Sequence, residues 1–560
     1  MESKSPSKVK LPIMGFARYK RVLRICAAIV VILLLLVAGY FAFEYRRPRD
    51  LAKRDYFTVV VDCGSTGTRV NVYKWKIRSS SCNWDLPILE HTYPDNSTES
   101  LFSGSSCKYH CMQTEPGLDK FAGNSTGVRV SLEPLILWAE QWVPRDRHGD
   151  TPIFVLATAG LRKLPVEDVR LVLDDVESIL KERSFVYRRS WIRVLSGKEE
   201  AYYGWVALNY KMGKLGNSSQ GSTLGLLDLG GSSLQVVMEV HGEERDNIHL
   251  IRTKIGSVER QILAHSLQSF GLNEAFDGTV AKLSQLQLII GSNDEISKVR
   301  HPCLGSDFMQ NYTCNACNGH NISHRKNMSG QMHKSEYTSL VGDPDWEQCI
   351  RIARAAAINS SSSDTSHPTV SNNCKASLSF NSGSGFLNLT AGAYPTRRFH
   401  ALSGFFAVTN ILDLGPRANL TKIWEKGEQL CSKSSGELSK ISEKQNYFRQ
   451  YCFRLPYMAS LIEDALCLGN KEIIFGPGDL SWTLGAALVE GEYLWLSTSK
   501  TSISSLTSME VIYSPIFVSL LLLFLLFIAY HSQIKLPMIG KKGPAITSLP
   551  SYLYPKHRPN

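Results

Sequence analysis

The last 30 residues of this 560-residue chain contain no acidic side chain and the first 24 contain one, against five and seven basic side chains respectively. The two tails carry +5 and +6, which is the whole formal net charge of +11, so residues 25–530 are neutral as a group. The basic isoelectric point therefore reports topology, and no nucleic-acid partner is expected, because such a partner needs cations clustered on a folded face. The chain also lacks G-x-x-x-x-G-K-[ST] and H-E-x-x-H, which removes the P-loop and the metalloprotease helix as sources of chemistry. Cys314 and Cys317 form a lone C-x-x-C with no second pair beside it, and the 14 histidines make no ligand pattern, which argues against zinc. Apolar residues are not scarce. At 43% apolar and 20% charged the chain is too apolar for disorder, and its length allows at least two ordinary cores.

Two uncharged runs, 25–43 and 511–530, are 19 and 20 residues long, about the length that crosses a bilayer as a helix. The first ends in Tyr40, Phe41 and Phe43 rather than in a small-residue cleavage site, so it reads as an anchor and not as a signal peptide. Basic tails at 1–24 and 531–560 put both termini in the cytosol, although basic residues at 46, 47, 49, 53 and 54 weaken the bias at the first span. The central domain is then luminal or extracellular, on a Golgi or other secretory membrane or on the plasma membrane. Eleven of the 13 cysteines lie between Cys82 and Cys467, a density that suits an oxidising compartment and disulfides. Being odd in number, they cannot all pair within one chain. Nine N-x-S/T sequons are candidates for glycosylation, at Asn96, Asn124, Asn217, Asn311, Asn321, Asn327, Asn359, Asn388 and Asn419, and all fall between the two spans.

Between the spans the pattern alternates strand with helix, and two α/β lobes are expected, 55–220 and 221–497 with a Cys/Asn-rich insertion. A strand over 58–62 runs into a turn and resumes at Val70, Val72 and Tyr73 as a hairpin partner. The run PIFVLATAGLR at 152–162 reads as strand, turn and helix start. A short strand before Ser196 and Gly197 leads into an amphipathic helix, and 224–243 read as a second strand pair. Helical periodicity is read near 256–290 and again from Phe399 onward, followed by a strand in KEIIFGPGD and a helix in SWTLGAALVEGEYLW, within 471–495. The Ser-rich run at 359–368 reads as an exposed loop.

Two turns stand out, VVVDCGSTGTRVNVY at 59–73 and LGLLDLGGSSLQVV at 224–237. In each, apolar residues feed an aspartate, and glycines and hydroxyl residues follow. Such turns can present amide and hydroxyl donors to phosphate oxygens, while Asp62 and Asp228 at the strand ends can position a hard divalent cation, Ca2+ or Mg2+, directly or through water. The same runs would also serve as plain hairpin turns. Ser196 and Glu199 match a capping box, which leaves Glu200, turned about 100° away, free to accept a proton from water or to sit at a solvated helix start. Arg69 offers a fixed fork of donors to phosphate, or a solvent-facing cross-strand cation. The Thr158 hydroxyl could meet phosphate or cap a helix. Phe406 and Trp482 could supply aromatic surface to a base or pack in the core.

These segments resemble the apyrase family, the nucleoside triphosphate diphosphohydrolases, and within it the membrane-anchored, plant-type apyrases. Five regions match in order: DCGSTGTR at 62–69, ATAGLR at 157–162, SGKEEAYYGW at 196–205, DLGGSSLQ at 228–235 and the looser FHALSGFF at 399–406. The resemblance implies a two-lobed, actin-like (ribonuclease H-like) α/β fold with nucleotide between the lobes. It implies phosphate binding by Ser65, Thr66, Gly67, Arg69, Thr158, Gly230, Gly231 and Ser233, and Glu200 as general base with Gln235 orienting water. It implies Asp62 and Asp228 around a metal's waters, and nucleoside di- and triphosphates as substrates. Cys63, Thr66, Ala201 and Leu234 stand where the family more often has Ala, Ser, Gly and a hydroxyl residue; Thr66 keeps its hydroxyl, and the change at Leu234 bears on the contacts of the second turn. A luminal UDP/GDP diphosphatase and a catalytically poor nucleotide-binding receptor remain alternatives, and oligomeric state is not legible.

Overall fold

The computed structural model describes residues 55–76, 86–95, 112–216, 222–241, 248–255, 258–290, 298–313, 338–358, 396–417, 419–431 and 450–492, with Leu35, Leu522 and Leu523 besides. The chain divides into a unit of residues 52–500 and a second of 1–51 with 501–560. The expected spans at 25–43 and 511–530, and both tails, lie outside the described residues but for those three. Among the described residues no helix is long and apolar enough to cross a membrane.

The unit 52–500 is α/β, built on two six-stranded mixed sheets and a three-stranded one. The strands of the first sheet are β1 (Tyr56–Cys63), β2 (Thr68–Lys76), β3 (Ile88–Tyr93), β4 (Gln113–Thr114), β5 (Ile153–Ala157) and β6 (Ile192–Val194), in the order β3-β2-β1-β5-β6 with β4 on β2. β1 forms because Val59, Val60 and Val61 can be buried on both faces at once, the signature of a central strand. The second sheet holds β7 (Gly225–Leu229), β8 (Ser233–Val240), β9 (Leu250–Ile255), β10 (Val258–Gln268), β14 (Arg398–Ser403) and β15 (Glu472–Phe475), ordered β15-β14-β7-β8-β10-β9. Between them in sequence, β11 (Lys298–His301), β12 (Met309–Tyr312) and β13 (Thr338–Gly342) form the third.

The second large sheet repeats the first. In each, an antiparallel hairpin (β1–β2; β7–β8) has a parallel strand beside its first member (β5; β14), and a further parallel strand beyond that (β6; β15). The helices are α1 (Ser125–Trp142), α2 (Ala159–Arg162), α3 (Val166–Lys181), α4 (Gly197–Lys211), α5 (Leu272–Ile290), α6 (Trp346–Ile358), α7 (Gly404–Ile411), α8 (Leu420–Cys431), α9 (Tyr451–Ser460) and α10 (Trp482–Glu490). One core joins Val59, Val61, Val70 and Val72 to α1 and α3. A second joins the far face of β7 and β8 to α5, α6 and α9. The third lies between the large sheets: Val60, Tyr73 and Trp75 from one and Leu226, Val237 and Ile262 from the other meet around α4 and α10.

That placement corrects one expectation. α4 is not amphipathic, since every residue from Ala201 to Asn209 is buried. Asn209 is admitted because its side chain accepts from Leu224 N–H and donates to the Leu224 and Trp205 carbonyls. Two other helix expectations also yield. The stretch 258–268 is the strand β10, with α5 starting at Leu272, and Phe399 lies in β14, with helix beginning at Gly404. Disulfides join Cys303 to Cys349 and Cys431 to Cys452, and Cys467 is also disulfide-bonded. Cys63 is buried and free. The Cys314/Cys317 pair and the run 359–368 lie outside the described residues. So do the sequons at Asn96, Asn217, Asn321, Asn327, Asn359 and Asn388. Asn124, Asn311 and Asn419 are exposed, the first and last capping helices by accepting the Gly127 and Lys422 N–H groups on their side-chain oxygens.

Candidate active site

The two expected turns are built alike. Asp62 is the next-to-last residue of its strand, opposite Arg69, and Asp228 the next-to-last of its own, opposite Gln235. Gly64 N–H bonds the Gly67 carbonyl at 3.0 Å, and Gly230 N–H bonds the Ser233 carbonyl at 2.9 Å, so each loop closes over the same span. Gly67 has to be glycine, because a Cβ there would lie 2.6 Å from the Thr114 carbonyl oxygen. The second loop is braced from behind: the Gly230 and Gly231 carbonyls accept the N–H groups of Leu272, Asn273 and Glu274, the otherwise unpaired donors at the start of α5.

The loops face one another. Ser232 Oγ donates to Ser65 Oγ at 3.2 Å, and a Cβ on Gly231 would stand 3.3 Å from the Thr66 methyl. Arg69 is held in place by Asp62 Oδ2 (3.3 Å), Thr66 Oγ1 (3.3 Å) and Gln113 Oε1 (2.8 Å), which fixes its fork at the first loop. Thr158 is buried and its N–H bonds the Cys63 carbonyl at 3.1 Å, but its hydroxyl caps no helix, so capping does not explain it. Gln235 donates through Nε2 to Ser233 Oγ (2.7 Å) and Ser266 Oγ (3.3 Å). With both donor positions used, what it has left to offer a water is its carbonyl oxygen.

The capping box at the head of α4 is complete: Ser196 and Glu199 each accept from the other's backbone, and Glu199 also pairs with Arg193 at 2.6 Å. Glu200 is thereby released from the capping role and points to Arg162, whose Nη2 is 2.8 Å from its Oε2. Burial pushes the Glu200 carboxyl up to about 7; Arg162 pulls against this, and the charges of Asp62 and Asp228 add to it. Burial also raises Asp62, with Arg69 opposing and Asp228 assisting, and raises Asp228, opposed by a hydrogen bond from Ser403.

The two aspartates therefore sense each other's charge, and Asp62 Oδ1 is buried with no hydrogen-bond partner. An orphaned carboxylate oxygen beside a second carboxylate fits a hard divalent cation, and among the described residues no group of three or more His, Cys, Asp or Glu would enclose one. The fit is to a cation that takes few protein ligands and keeps water or phosphate oxygens. Trp482 is buried and its ring stacks on Tyr203 with the centroids 6.5 Å apart. Phe406 is half-buried and packs on Gly476 and Gly478, beyond β15. The run GNSTG at 123–127 has the spacing of a hydrolase nucleophile elbow but caps α1, with no strand leading into it. Sequence reasoning missed Arg162, although it stands inside a motif already singled out, and missed Ser232 and Ser266. Ser266 could not be found while its strand was read as helix.

Twin turns with hydroxyl and guanidinium donors, and a half-buried carboxyl near neutrality at their side, bring together in an α/β fold the groups that phosphoryl chemistry uses. Residues 50–505 match the model of the GDA1/CD39 (nucleoside phosphatase) family, and the chain belongs to that family. It is 37% identical over 512 residues to "Probable apyrase 7" of Arabidopsis thaliana, covering 90% of this chain but only 65% of that relative. It is 24% identical to "Nucleoside-diphosphatase mig-23" of Caenorhabditis elegans, over 86% of each chain. Among solved structures, nucleoside triphosphate hydrolase from Neospora caninum aligns with a TM-score of 0.50 at 16% identity, over 84% of this chain and 99% of the other, a likeness of fold.

Proposed function

We propose that the protein is an apyrase that hydrolyses nucleoside triphosphates and diphosphates to monophosphate and orthophosphate by direct attack of water. The observation that carries this reading is Glu200, a half-buried carboxyl that desolvation pushes up to about 7, ion-paired to Arg162 and electrostatically coupled to the aspartates of both turns. Family membership and the names of the relatives support it. Ser65, Thr66 and Gly67 on one side and Gly230, Gly231 and Ser233 on the other bind the phosphate oxygens, with Thr158 beside the first loop. Arg69 neutralises charge there. Gln235 accepts a hydrogen bond from the attacking water and Glu200 takes its other proton. The new bond forms from that water's oxygen to the terminal phosphorus, and the bond to the bridging oxygen breaks. No covalent intermediate on the protein is needed. Asp62 and Asp228 would hold a divalent cation, Ca2+ or Mg2+, which when bound offsets the negative charge of the phosphates.

The repeated strand order of the two sheets supports the actin-like, two-lobed reading. The apolar runs at 25–43 and 511–530 and the basic tails support a protein anchored in a lipid bilayer at both ends, its termini cytosolic and its catalytic unit luminal or extracellular. The cysteine density and the three exposed sequons support an oxidising, glycosylating compartment, whether Golgi, other secretory membrane or plasma membrane.

The test is orthophosphate release by the detergent-purified chain from ATP, ADP, UDP and GDP, with Ca2+, Mg2+ or chelator. Release from both ATP and ADP that chelation abolishes is expected. Activity on diphosphates alone would move the protein to nucleotide clearance in a secretory lumen. Nucleotide binding with no turnover would make it a receptor.

A further inference from the structure

Three strands put three side chains in one row across the first sheet: Asp62 of β1 stands opposite Arg69 of β2, and Arg69 opposite Gln113 of β4. Residues directly opposite each other in an antiparallel pair share a face, and successive residues alternate between faces. Thr114, the next residue, is buried with its hydroxyl on the Ser131 carbonyl at 2.9 Å, which pins β4 to α1. Gln113 is thus turned to Arg69, and its Oε1 accepts from Arg69 Nε at 2.8 Å. The amide is fixed from both ends. Arginine only donates and an ionised carboxylate only accepts, so the oxygen meets Arg69 and Nε2 goes to Glu115.

Arginine and carboxylate frequently meet fork to fork, two nitrogens on two oxygens. Here they do not. Nη1 alone reaches Asp62, on Oδ2 at 3.3 Å, while Nη2 is on Thr66 Oγ1 and Nε on Gln113, and Asp62 Oδ1 is buried with no partner among the described residues. The second sheet repeats the row as Asp228, Gln235 and Ser266, on β7, β8 and β10. There too the third residue accepts from the second, Ser266 Oγ taking Gln235 Nε2 at 3.3 Å. Each half therefore holds, from the far side, the residue that faces its aspartate.

We infer that Gln113 is a positioning residue: its hold on Nε keeps the Arg69 fork from closing on both oxygens of Asp62, and so leaves Oδ1 to a cation or the cation's water. The inference rests on the proposed hydrolase reading for its kinetic consequence, but not for its structural one.

Gln113→Leu removes the acceptor, and Gln113→Glu keeps one. Gln113 is half-buried at the end of the row, so both variants should keep the wild-type urea midpoint. In the detergent-purified full chain, Gln113→Leu should need about 10–100-fold more Mg2+ for half-maximal phosphate release, and Gln113→Glu the wild-type amount. With a non-hydrolysable ATP analogue present, Mg2+ should raise the unfolding temperature of Gln113→Leu less than that of wild type or Gln113→Glu. An unchanged Mg2+ requirement in Gln113→Leu, or an equal loss in Gln113→Glu, would overturn the inference. Should the wild-type chain release no phosphate, the hydrolase reading fails on its own, and the unfolding temperatures decide. A smaller Mg2+-dependent rise in Gln113→Leu than in the other two proteins sustains the assignment. An equal rise in all three, or none in any, removes it.

Discussion

Glu200 is the residue on which most turns. Its carboxyl is 13% exposed and titrates near 7 rather than 4.5, so it is largely ionised only above neutrality. Phosphate release should therefore fall on the acid side with an apparent midpoint near 7, and Glu200→Gln should lower kcat by about 10²–10⁴-fold at pH 8. Stability should move the other way. The folded state holds the Glu200 proton more tightly than the unfolded chain does. This contribution is fully present below pH 4.5 and is lost as pH rises through about 7. At pH 8, metal-free Glu200→Gln should then be more stable than wild type, by on the order of 2–3 kcal/mol, in urea titrations. A variant less stable than wild type at pH 8 would show that the carboxylate is better solvated than its burial implies. Arg162 can be tested through the same group. Its cation pulls the Glu200 carboxyl down, so Arg162→Gln should shift the acid limb of the rate profile to higher pH. An unmoved limb would deny the ion pair any role in tuning the base. Glu200 could be picked out in the sequence because Ser196 and Glu199 so plainly form a capping box that the neighbouring carboxylate is left over. Arg162 could not be assigned in that way, since nothing local to ATAGLR says that it reaches 38 residues on to α4.

At the scale of elements, the hairpins were legible and the buried helices were not. β1–β2 and β7–β8 announce themselves by apolar runs broken by Asp and Gly, a local signal. α4 shows Tyr202, Trp205 and Leu208 at helical spacing, which reads as one apolar face, but its other sides carry Tyr203, Ala207 and Asn209. Those sides are buried only because α10 and the second sheet cover them. β10 was missed for a related reason: Gln261, Leu263, Ala264 and Leu267 are acceptable in a helix, and the pairing with β8 and β9 overrides that propensity. The α4–α10 contact can be tested at its tightest point. Gly485 of α10 lies against the Tyr203 backbone, where a Cβ would run into the Tyr203 carbonyl. Gly485→Ala should force the helices apart and cost about 1–3 kcal/mol, read as a lower urea midpoint at unchanged slope. Since α4 carries Glu200, kcat should fall as well. Full stability and activity in Gly485→Ala would mean that the two helices are free to separate.

For the molecule as a whole, the expectation of two lobes meets a core that belongs to neither. Val60, Tyr73 and Phe154 of the first sheet and Leu226, Val237 and Ala264 of the second share one buried cluster with α4 and α10. α4 comes from the first half of the sequence and α10 from the end of the second. The halves are also tied by the Ser65–Ser232 hydrogen bond, by the Lys163–Glu274 ion pair and by the bond of Tyr73 Oη with Thr483 Oγ1 at 2.7 Å. Exposing either sheet would open that common core and uncover large apolar area on the other, at roughly 25 cal/mol for each Å². Neither half can therefore unfold while the other keeps its packing, and residues 52–500, which hold both sheets and every residue of the candidate site, should unfold as one cooperative unit. Calorimetry of that fragment in metal-free buffer, with its disulfides intact, should give a single transition whose calorimetric and van't Hoff enthalpies agree. Two resolved transitions would show that the central cluster is an interface between independent domains, and the turns that meet across it would then be joined by contacts weak enough for each to move alone.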